Sequence, residues 1–325
     1  MRKCMDANVV YETKDMSMEV WLQKRKEGIG GSDAASVLGL NPYKSSLSVY
    51  LDKINYEEDN IDLEYDYHYD ASKDEEVNYR MELGNKLENF VANEFCLKTG
   101  KKVRNVNGIL RNDKYSFAYA NIDRAVVGEK AFLECKVTNS YSKKLWKKEV
   151  PVYYQIQCYH YMAVTGATHC YVAVLIGNED FVIHRLERNE EMISQIMSLE
   201  KEFWEKCVLG NELPTPDGCE DYSEMLKDLY RDSIEEELIL FEKDDLINRY
   251  DEVRGLLKEL DTERKAIEQY LQMQMKEYEI AYLGERKISW KKQERRTFDS
   301  KRFRSECPEI AEKFMKTTSS RVFKI

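Results

Sequence analysis

Tyr119-Ala120-Asn121-Ile122-Asp123-Arg124, followed by Ala131-Phe132-Leu133-Glu134-Cys135-Lys136-Val137, is the stretch whose reading decides the fold. Both segments read as strands, joined by the turn-like Val127-Gly128-Glu129-Lys130. Successive strand side chains alternate between faces, so Leu133, Cys135 and Val137 can face a core while Glu134 and Lys136 share the other side. Asp123, Glu134 and Lys136 then converge at a sheet edge. A hard cation such as Mg²⁺ takes oxygen ligands, commonly one or two carboxylates plus water and phosphate. Asp123 and Glu134 supply the carboxylates, and the backbone carbonyl of Cys135 points into the same region. Lys136 can orient an attacking water and neutralise charge developing on phosphate. The spacing alone equally describes a cross-strand ion pair, so the flanking segments have to decide.

Upstream, Leu83 to Phe95 reads as an amphipathic helix ending near Thr99-Gly100, with Leu83, Leu87, Phe90, Val91 and Phe95 as its apolar stripe. Glu88 sits beside that stripe, where it is either aimed into a cleft or solvated. Near the N-terminus, Arg25-Lys26-Glu27-Gly28-Ile29-Gly30-Gly31-Ser32-Asp33 places glycines before a serine at a helix start. Free backbone N–H groups there suit a phosphate, and Ser32 or Asp33 equally suits an N-cap. No Gly-Lys-Ser/Thr follows at Walker spacing. Downstream, Pro151 to Gly166 reads as a helix carrying Gln155 and Gln157, then a strand over Cys170–Ile176.

Four blocks in this order resemble the YqaJ-like viral recombinase family, relatives of the lambda-type phage exonuclease within the PD-(D/E)xK nuclease superfamily. They are Gly28-Ile29-Gly30-Gly31-Ser32-Asp33, Leu83-Gly84…Leu87-Glu88, Asp123…Glu134-Cys135-Lys136, and Gln155-Ile156-Gln157 with Met162…Thr165-Gly166. The resemblance spans roughly Trp21 to Gly210, and Asn41-Pro42-Tyr43-Lys44-Ser45 belongs to the same pattern. It implies an α/β fold, a restriction-endonuclease-like core with a central mixed sheet flanked by helices. It further implies Glu88, Asp123, Glu134 and the Cys135 carbonyl as metal ligands, Lys136 as the catalytic lysine, and Gln155 at the site with Gln157 beside it. Arg25 and Ser32 would lie near the 5′ phosphate of a DNA end. The acidic stretch from Glu57 to Glu76 departs from the pattern and has no assigned role.

The chain of 325 residues is 42% hydrophobic and 34% charged, with a net charge of −10. That balance argues against a nonspecific polyanion coater. The charge is uneven: residues 281–325 hold 13 Lys/Arg against 6 Asp/Glu. A further basic cluster, Lys143, Lys144, Lys147 and Lys148, reads as a DNA-facing patch or a solvated face. The eight cysteines are scattered without Cys-x-x-Cys, which points to reduced thiols and against an Fe–S cluster. The four histidines show no ligand spacing, and His160 reads as a packed side chain. No apolar run approaches the ~20 residues of a membrane span, and no signal peptide opens the chain. The expected location is the cytoplasm of a bacterial host, with the gene host- or prophage-borne.

Residues 1–215 read as the nuclease core, 216–245 as an acidic linker, and 246–325 as an extension. In the extension, Leu246, Tyr250, Val253, Leu257, Leu260, Ile267, Leu271 and Tyr278 follow a heptad-like stripe that would pair with another subunit or, preferred, with a helix of the same chain. Two strand-like pieces follow, then a short helix, a helix starting at Pro308 and a final strand. Trp290, Phe298 and Phe303, interleaved with Arg and Lys, suit stacking on unpaired bases or a small core.

The expected activity is a Mg²⁺-dependent exonuclease, with Mn²⁺ substituting, acting on duplex DNA ends. The resemblance implies 5′-to-3′ resection, a single-strand annealing protein as partner, and a ring-shaped homo-oligomer. The rivals are another PD-(D/E)xK activity, such as an endonuclease or a CRISPR-associated end trimmer, and a catalytically silent DNA-binding scaffold.

Overall fold

The computed structural model describes residues 2–54, 71–241, 243–316 and 321–325. The acidic stretch beginning at Glu57 lies outside the described residues up to position 70. The chain forms two compact units, Met1–Arg231 and Asp232–Ile325. Among the described residues no helix is long and apolar enough to cross a membrane.

The first unit opens with strands β1 (Lys3–Cys4) and β2 (Ala7–Glu12), helix α1 (Met18–Lys26), the short β3 (Ile29–Gly30), and helices α2 (Gly31–Val37) and α3 (Ser46–Ile54). The long helix α4 (Ala71–Thr99) leads to β4 (Val103–Arg104), β5 (Gly108–Asn112), β6 (Tyr115–Ala120), β7 (Arg124–Val126) and β8 (Ala131–Thr138). Helices α5 (Lys143–Lys148) and α6 (Val152–Thr165) cross over to β9 (His169–Ile176) and β10 (Asp180–Glu187). Helix α7 (Glu190–Glu202) then runs into a π-helical turn over Phe203–Leu209, and α8 (Glu220–Leu229) closes the unit.

Two five-stranded mixed sheets result, ordered β1-β2-β5-β6-β3 and β10-β9-β8-β7-β4. The expected mixed α/β core, sheets flanked by helices, is present. Strands β8 and β9 pair in parallel along their whole length, from Ala131↔His169 to Thr138↔Ile176; the α5–α6 crossover supplies the long connection that parallel pairing needs. Helix α4 covers one face through Val91, Ala92 and Phe95 against Leu133 and Ala173. Helix α6 covers the other through Ile156, Met162 and Val164 with Phe132 and Val172. Burial on both faces explains why β9 reads as an unbroken apolar run.

The segment Tyr119–Arg124, read from sequence as one strand, is split. Tyr119 and Ala120 end β6 in the first sheet, and Arg124 begins β7 in the second. Asp123 sits where the chain passes between sheets, a break that alternation of apolar residues does not reveal. The stripe expected on α4 also shifts. Leu83 and Phe90 are exposed, whereas Val91 and Phe95 are buried as expected, joined by Ala92.

The compact unit extends past 215. Asp221 of α8 accepts hydrogen bonds from Ser45 N at 2.7 Å, Ser45 Oγ at 2.6 Å and Ser48 Oγ at 2.6 Å. Tyr222 is buried with Ile29, Leu47 and Phe203. The first part of the acidic segment is therefore core, and its carboxylate secures the start of α3. The basic cluster on α5 is largely neutralised, with Lys147 2.7 Å from Asp180 and Lys143 3.1 Å from Glu179.

The second unit contains the 32-residue helix α9 (Asp244–Met275), the hairpin β11 (Ile280–Leu283) and β12 (Arg286–Ser289), and helices α10 (Ser300–Glu306) and α11 (Pro308–Lys313). Leu246, Tyr250, Val253, Leu257, Leu260 and Ile267 are all exposed, so among the described residues no helix of this second unit covers the heptad stripe. Residues 321–325 form no strand.

Candidate active site

Strand β8 outlasts β7. Their ladder pairs Arg124↔Leu133 and Ala125↔Phe132 and then stops. The next free N–H on that side, Cys135, donates to Asp123 Oδ2 at 2.7 Å. A residue in a strand directs its N–H and C=O to the same side, so the Cys135 carbonyl faces the edge where Asp123 lies. Alternation then turns Glu134 and Lys136 toward α6. Lys136 Nζ is 2.8 Å from Glu134 Oε1 and 4.7 Å from the centre of the Tyr154 ring. Gln157 Nε2 donates to the same Glu134 oxygen at 2.8 Å, and its Oε1 accepts from Lys136 at 3.3 Å. Glu134 is buried, and its second oxygen, Oε2, has no hydrogen-bond partner.

An unpartnered buried carboxylate oxygen costs free energy unless something neutralises it. The neighbours show the same imbalance. Burial, then the Glu134 charge, push the Asp123 carboxyl well above its ordinary range. Burial works against the Lys136 ammonium, yet Glu134 and Asp123 outweigh it and hold the lysine protonated above its usual range. Burial and the Glu134 charge likewise raise the Tyr161 phenol. Excess negative charge around an orphaned oxygen fits a divalent cation with Asp123 and Glu134 as its carboxylates.

A cavity of about 270 Å³ joins these groups to the N-terminal segment, lined by Glu88, Asp123, Glu134 and Gln157 together with Trp21, Arg25 and Ser32. Glu88 reaches this cavity from α4, but its carboxylate is paired with Arg124. Arg124 also donates to the Asp123 carbonyl at 2.6 Å and to Asn89 Oδ1 at 2.7 Å. Among the described residues no three carboxylate, histidine or cysteine groups converge as a ready-made metal cluster. Asp123 and Glu134 are thus brought together, and Glu88 lines the same space while engaged elsewhere.

Of the two glutamines expected at the site, the structure places Gln157 there and Gln155 elsewhere. Gln155 donates to the Val150 carbonyl at 2.6 Å, securing the first turn of its own helix, and does not line the cavity. Two residues on, about 200° around a helix, Gln157 faces β8. Gln157→Ala is therefore expected to lower turnover about ten- to a hundredfold, as loss of a group orienting a ligand does. Gln155→Ala should leave it within about threefold, a ratio that initial-rate measurements on both variants would read.

At the other end of the cavity, the Arg25 guanidinium stacks on Trp21 with 4.7 Å to the ring centre and donates to Ser32 Oγ at 2.6 Å. Beneath them lies a buried ion pair that sequence reading did not single out. Lys53 Nζ is 2.9 Å from Asp33 Oδ2 and donates to the Arg25 carbonyl at 3.1 Å. Burial alone would raise the Asp33 carboxyl, but Lys53, then Lys44 and Arg25, hold it far below the usual carboxylate range. The one sequence signal was the place of Lys53 on the stripe Leu47, Tyr50 of α3, where a lysine is out of keeping. Arg124 and Tyr161 had no spacing signal at all.

Gly31 sets the approach of α2 to α6. A Cβ there would lie 2.3 Å from Tyr161 Cε1, and the Tyr161 hydroxyl accepts from Gln157 at 3.3 Å. Gly31→Ala is expected to displace the ring, cost about 1–3 kcal/mol, and reduce turnover by disturbing Gln157. Urea denaturation and initial rates would test both. Behind Tyr161, His160 is fully buried between Glu200, 2.8 Å from Nδ1, and the Tyr119 carbonyl, 2.9 Å from Nε2. A carbonyl only accepts, so Nε2 carries a proton, and the packed role expected for His160 holds.

The domain model of the YqaJ-like viral recombinase family matches residues 20–168, which contain both ends of this cavity. The YqaJ protein of Bacillus subtilis (strain 168) is 36% identical over 324 residues, covering 98% of this chain and 97% of that protein. Two solved structures are similar at lower identity. The alkaline exonuclease LHK-Exo from Laribacter hongkongensis is 18% identical, covers 59% of this chain and 94% of its own, and has a TM-score of 0.48. A phage related exonuclease from Haemophilus somnus 129PT is 12% identical, covers 57% and 96%, and has a TM-score of 0.39. With a full-length relative at 36% identity and a family match spanning the cavity, the chain belongs to the YqaJ-like viral recombinase family.

Proposed function

We propose that the protein is a divalent-metal-dependent DNA exonuclease that resects duplex ends, 5′ to 3′, in phage-type recombination by single-strand annealing. The observation that carries this reading is the Glu134 carboxylate, buried with one oxygen unpartnered beside Asp123 and Lys136. Asp123 and Glu134 would hold Mg²⁺, or Mn²⁺ in its place, with the Cys135 carbonyl and with Glu88 once it leaves Arg124. The ion would lower the pKa of water and offset phosphate charge.

The chain's own groups do the rest. Gln157 fixes the rotamer of Glu134 by hydrogen bonding one oxygen, leaving the other free. The Lys136 ammonium offers N–H donors toward a phosphate oxygen or an attacking water. Arg25, held by Trp21 and Ser32, presents a planar fork suited to a terminal 5′ phosphate. Membership of a recombinase family supports DNA as substrate, with an annealing protein and a ring of identical subunits as partners.

Purified protein with Mg²⁺ should release nucleotides from linear duplex, leave covalently closed circles intact, and stop on chelation. A 5′-phosphorylated end should be consumed faster than a 5′-hydroxyl end, with the difference lost in Arg25→Ala. Cleavage of closed circles would replace the exonuclease reading with an endonuclease. Absence of hydrolysis with either Mg²⁺ or Mn²⁺ would sink it.

A further inference from the structure

The hairpin of the second unit carries a surface that the nuclease site does not use. Strands β11 and β12 turn tightly at Gly284, whose φ is +60°, and pair Ile280↔Ser289, Ala281↔Ile288, Tyr282↔Lys287 and Leu283↔Arg286. Directly opposed residues share a face, so Ile280, Tyr282, Lys287 and Ser289 lie on one side. Ala281 and Ile288, on the other, are half-buried. Only Ala281 and Ile288 are partly covered on that side, since Leu283 and Arg286 at its turn end are exposed; the Tyr282 face points outward, with Tyr282 68% exposed. Tyr278 before it is 74% exposed, and Trp290 after it 48%.

These aromatics stand among cations. Lys287 on the Tyr282 face, and Lys291, Arg295 and Arg296 after the hairpin, have no carboxylate within ion-pair distance among the described residues, although the chain as a whole is acidic. On α5, by contrast, Lys143 and Lys147 pair with Glu179 and Asp180. Exposed rings with uncompensated positive charge suit a ligand with both flat faces and a polyanionic backbone. Duplex DNA hides its base faces in the stack, whereas a single strand offers both.

From this we infer that the outward face of the β11–β12 hairpin is a binding platform for single-stranded DNA. Tyr282 stacks on an unpaired base, and Lys287 with its basic neighbours holds the phosphates. The inference rests on the exonuclease reading for the source of its ligand, because end resection leaves a single strand.

The test uses the full chain in chelator, so that binding is read without turnover, with a fluorescent oligothymidylate followed by anisotropy. Tyr282→Ala is expected to weaken binding about tenfold or more, within the range for loss of one base–aromatic stack. Tyr282→Phe, which keeps the ring, should bind like wild type. Lys287→Gln should weaken binding and lower the slope of log affinity against log salt by roughly 0.7, as for one phosphate contact on a single strand. The initial rate of nucleotide release from linear duplex should be unchanged in all three.

Oligothymidylate binding that Tyr282→Ala leaves intact would overturn the platform and leave the exonuclease reading standing. So would equal losses in Tyr282→Ala and Tyr282→Phe. Loss of strand binding in Tyr282→Ala by a wild-type protein that hydrolyses nothing would remove the exonuclease reading and keep the platform.

Discussion

Asp123→Asn is expected to lose about three orders of magnitude in nuclease turnover while melting at a higher temperature than wild type in chelator. The first effect follows from removing a carboxylate from a site whose cation would supply several kcal/mol of transition-state stabilisation. The second follows from the charge balance of the metal-free site. Burial and the neighbouring Glu134 disfavour a charged Asp123, and Lys136 keeps Glu134 as its partner at 2.8 Å when the Asp123 charge is removed. An asparagine still offers Oδ1 to the Cys135 N–H, so the hydrogen bond survives without the repulsion. A gain of about 1 kcal/mol corresponds to roughly 2–4 °C for a unit of this size. Added Mg²⁺ should raise the melting temperature of wild type, because a ligand bound only by the folded state stabilises it, and should not move the variant. Initial rates and melting curves with and without cation would check this. A variant that melts lower than wild type in chelator, or keeps its turnover, would contradict the assignment.

Lys53→Met is expected to cost about 3–5 kcal/mol, the range for stripping one partner from a buried ion pair. Both side chains are almost wholly buried, at 1% and 4% exposure for Lys53 and Asp33. The variant leaves Asp33 with Lys44 at 3.2 Å, on a side chain that is 38% exposed. The Arg25 carbonyl loses its donor as well, so the loosened segment is the one that holds Arg25 against Ser32. The pH dependence has a fixed sign. The folded-state pKa of Asp33 is depressed, so its contribution is present above the ordinary carboxylate range of about 4 and is lost as pH falls through and below it. Lys53→Met should flatten that part of the stability curve. Urea titrations across acid and neutral pH would show both effects. A loss under about 1 kcal/mol at neutral pH would mean that the pair is not structural.

The parts legible in sequence were those written in local pattern. Alternation placed Glu134 and Lys136 on one face of β8 and Leu133 on the other, and the structure agrees. The helices around Gln157 and Glu88 and the Pro308 helix start were legible for the same reason. What sequence did not show depends on how distant elements meet. Whether Gln155 or Gln157 faces the site is decided by the rotation of α6 against β8. The pairing of Glu88 with Arg124 joins α4 to a chain crossing that reads as continuous strand. Asp221 belongs to the core through three hydrogen bonds to Ser45 and Ser48, 173–176 residues away, and no acidic composition could announce that.

The early end of β7 has a consequence for solubility as well as for chemistry. A strand that runs past its neighbour leaves backbone donors and acceptors that any other extended chain can match, which is how sheets recruit one another into aggregates. On β8 that opening falls at Cys135, and the Asp123 carboxylate fills its N–H. With that N–H already taken by a side chain, the edge offers an incoming strand one hydrogen bond fewer. The gap left by the early end of β7 is thus filled by a side chain of the crossing segment, not by another strand.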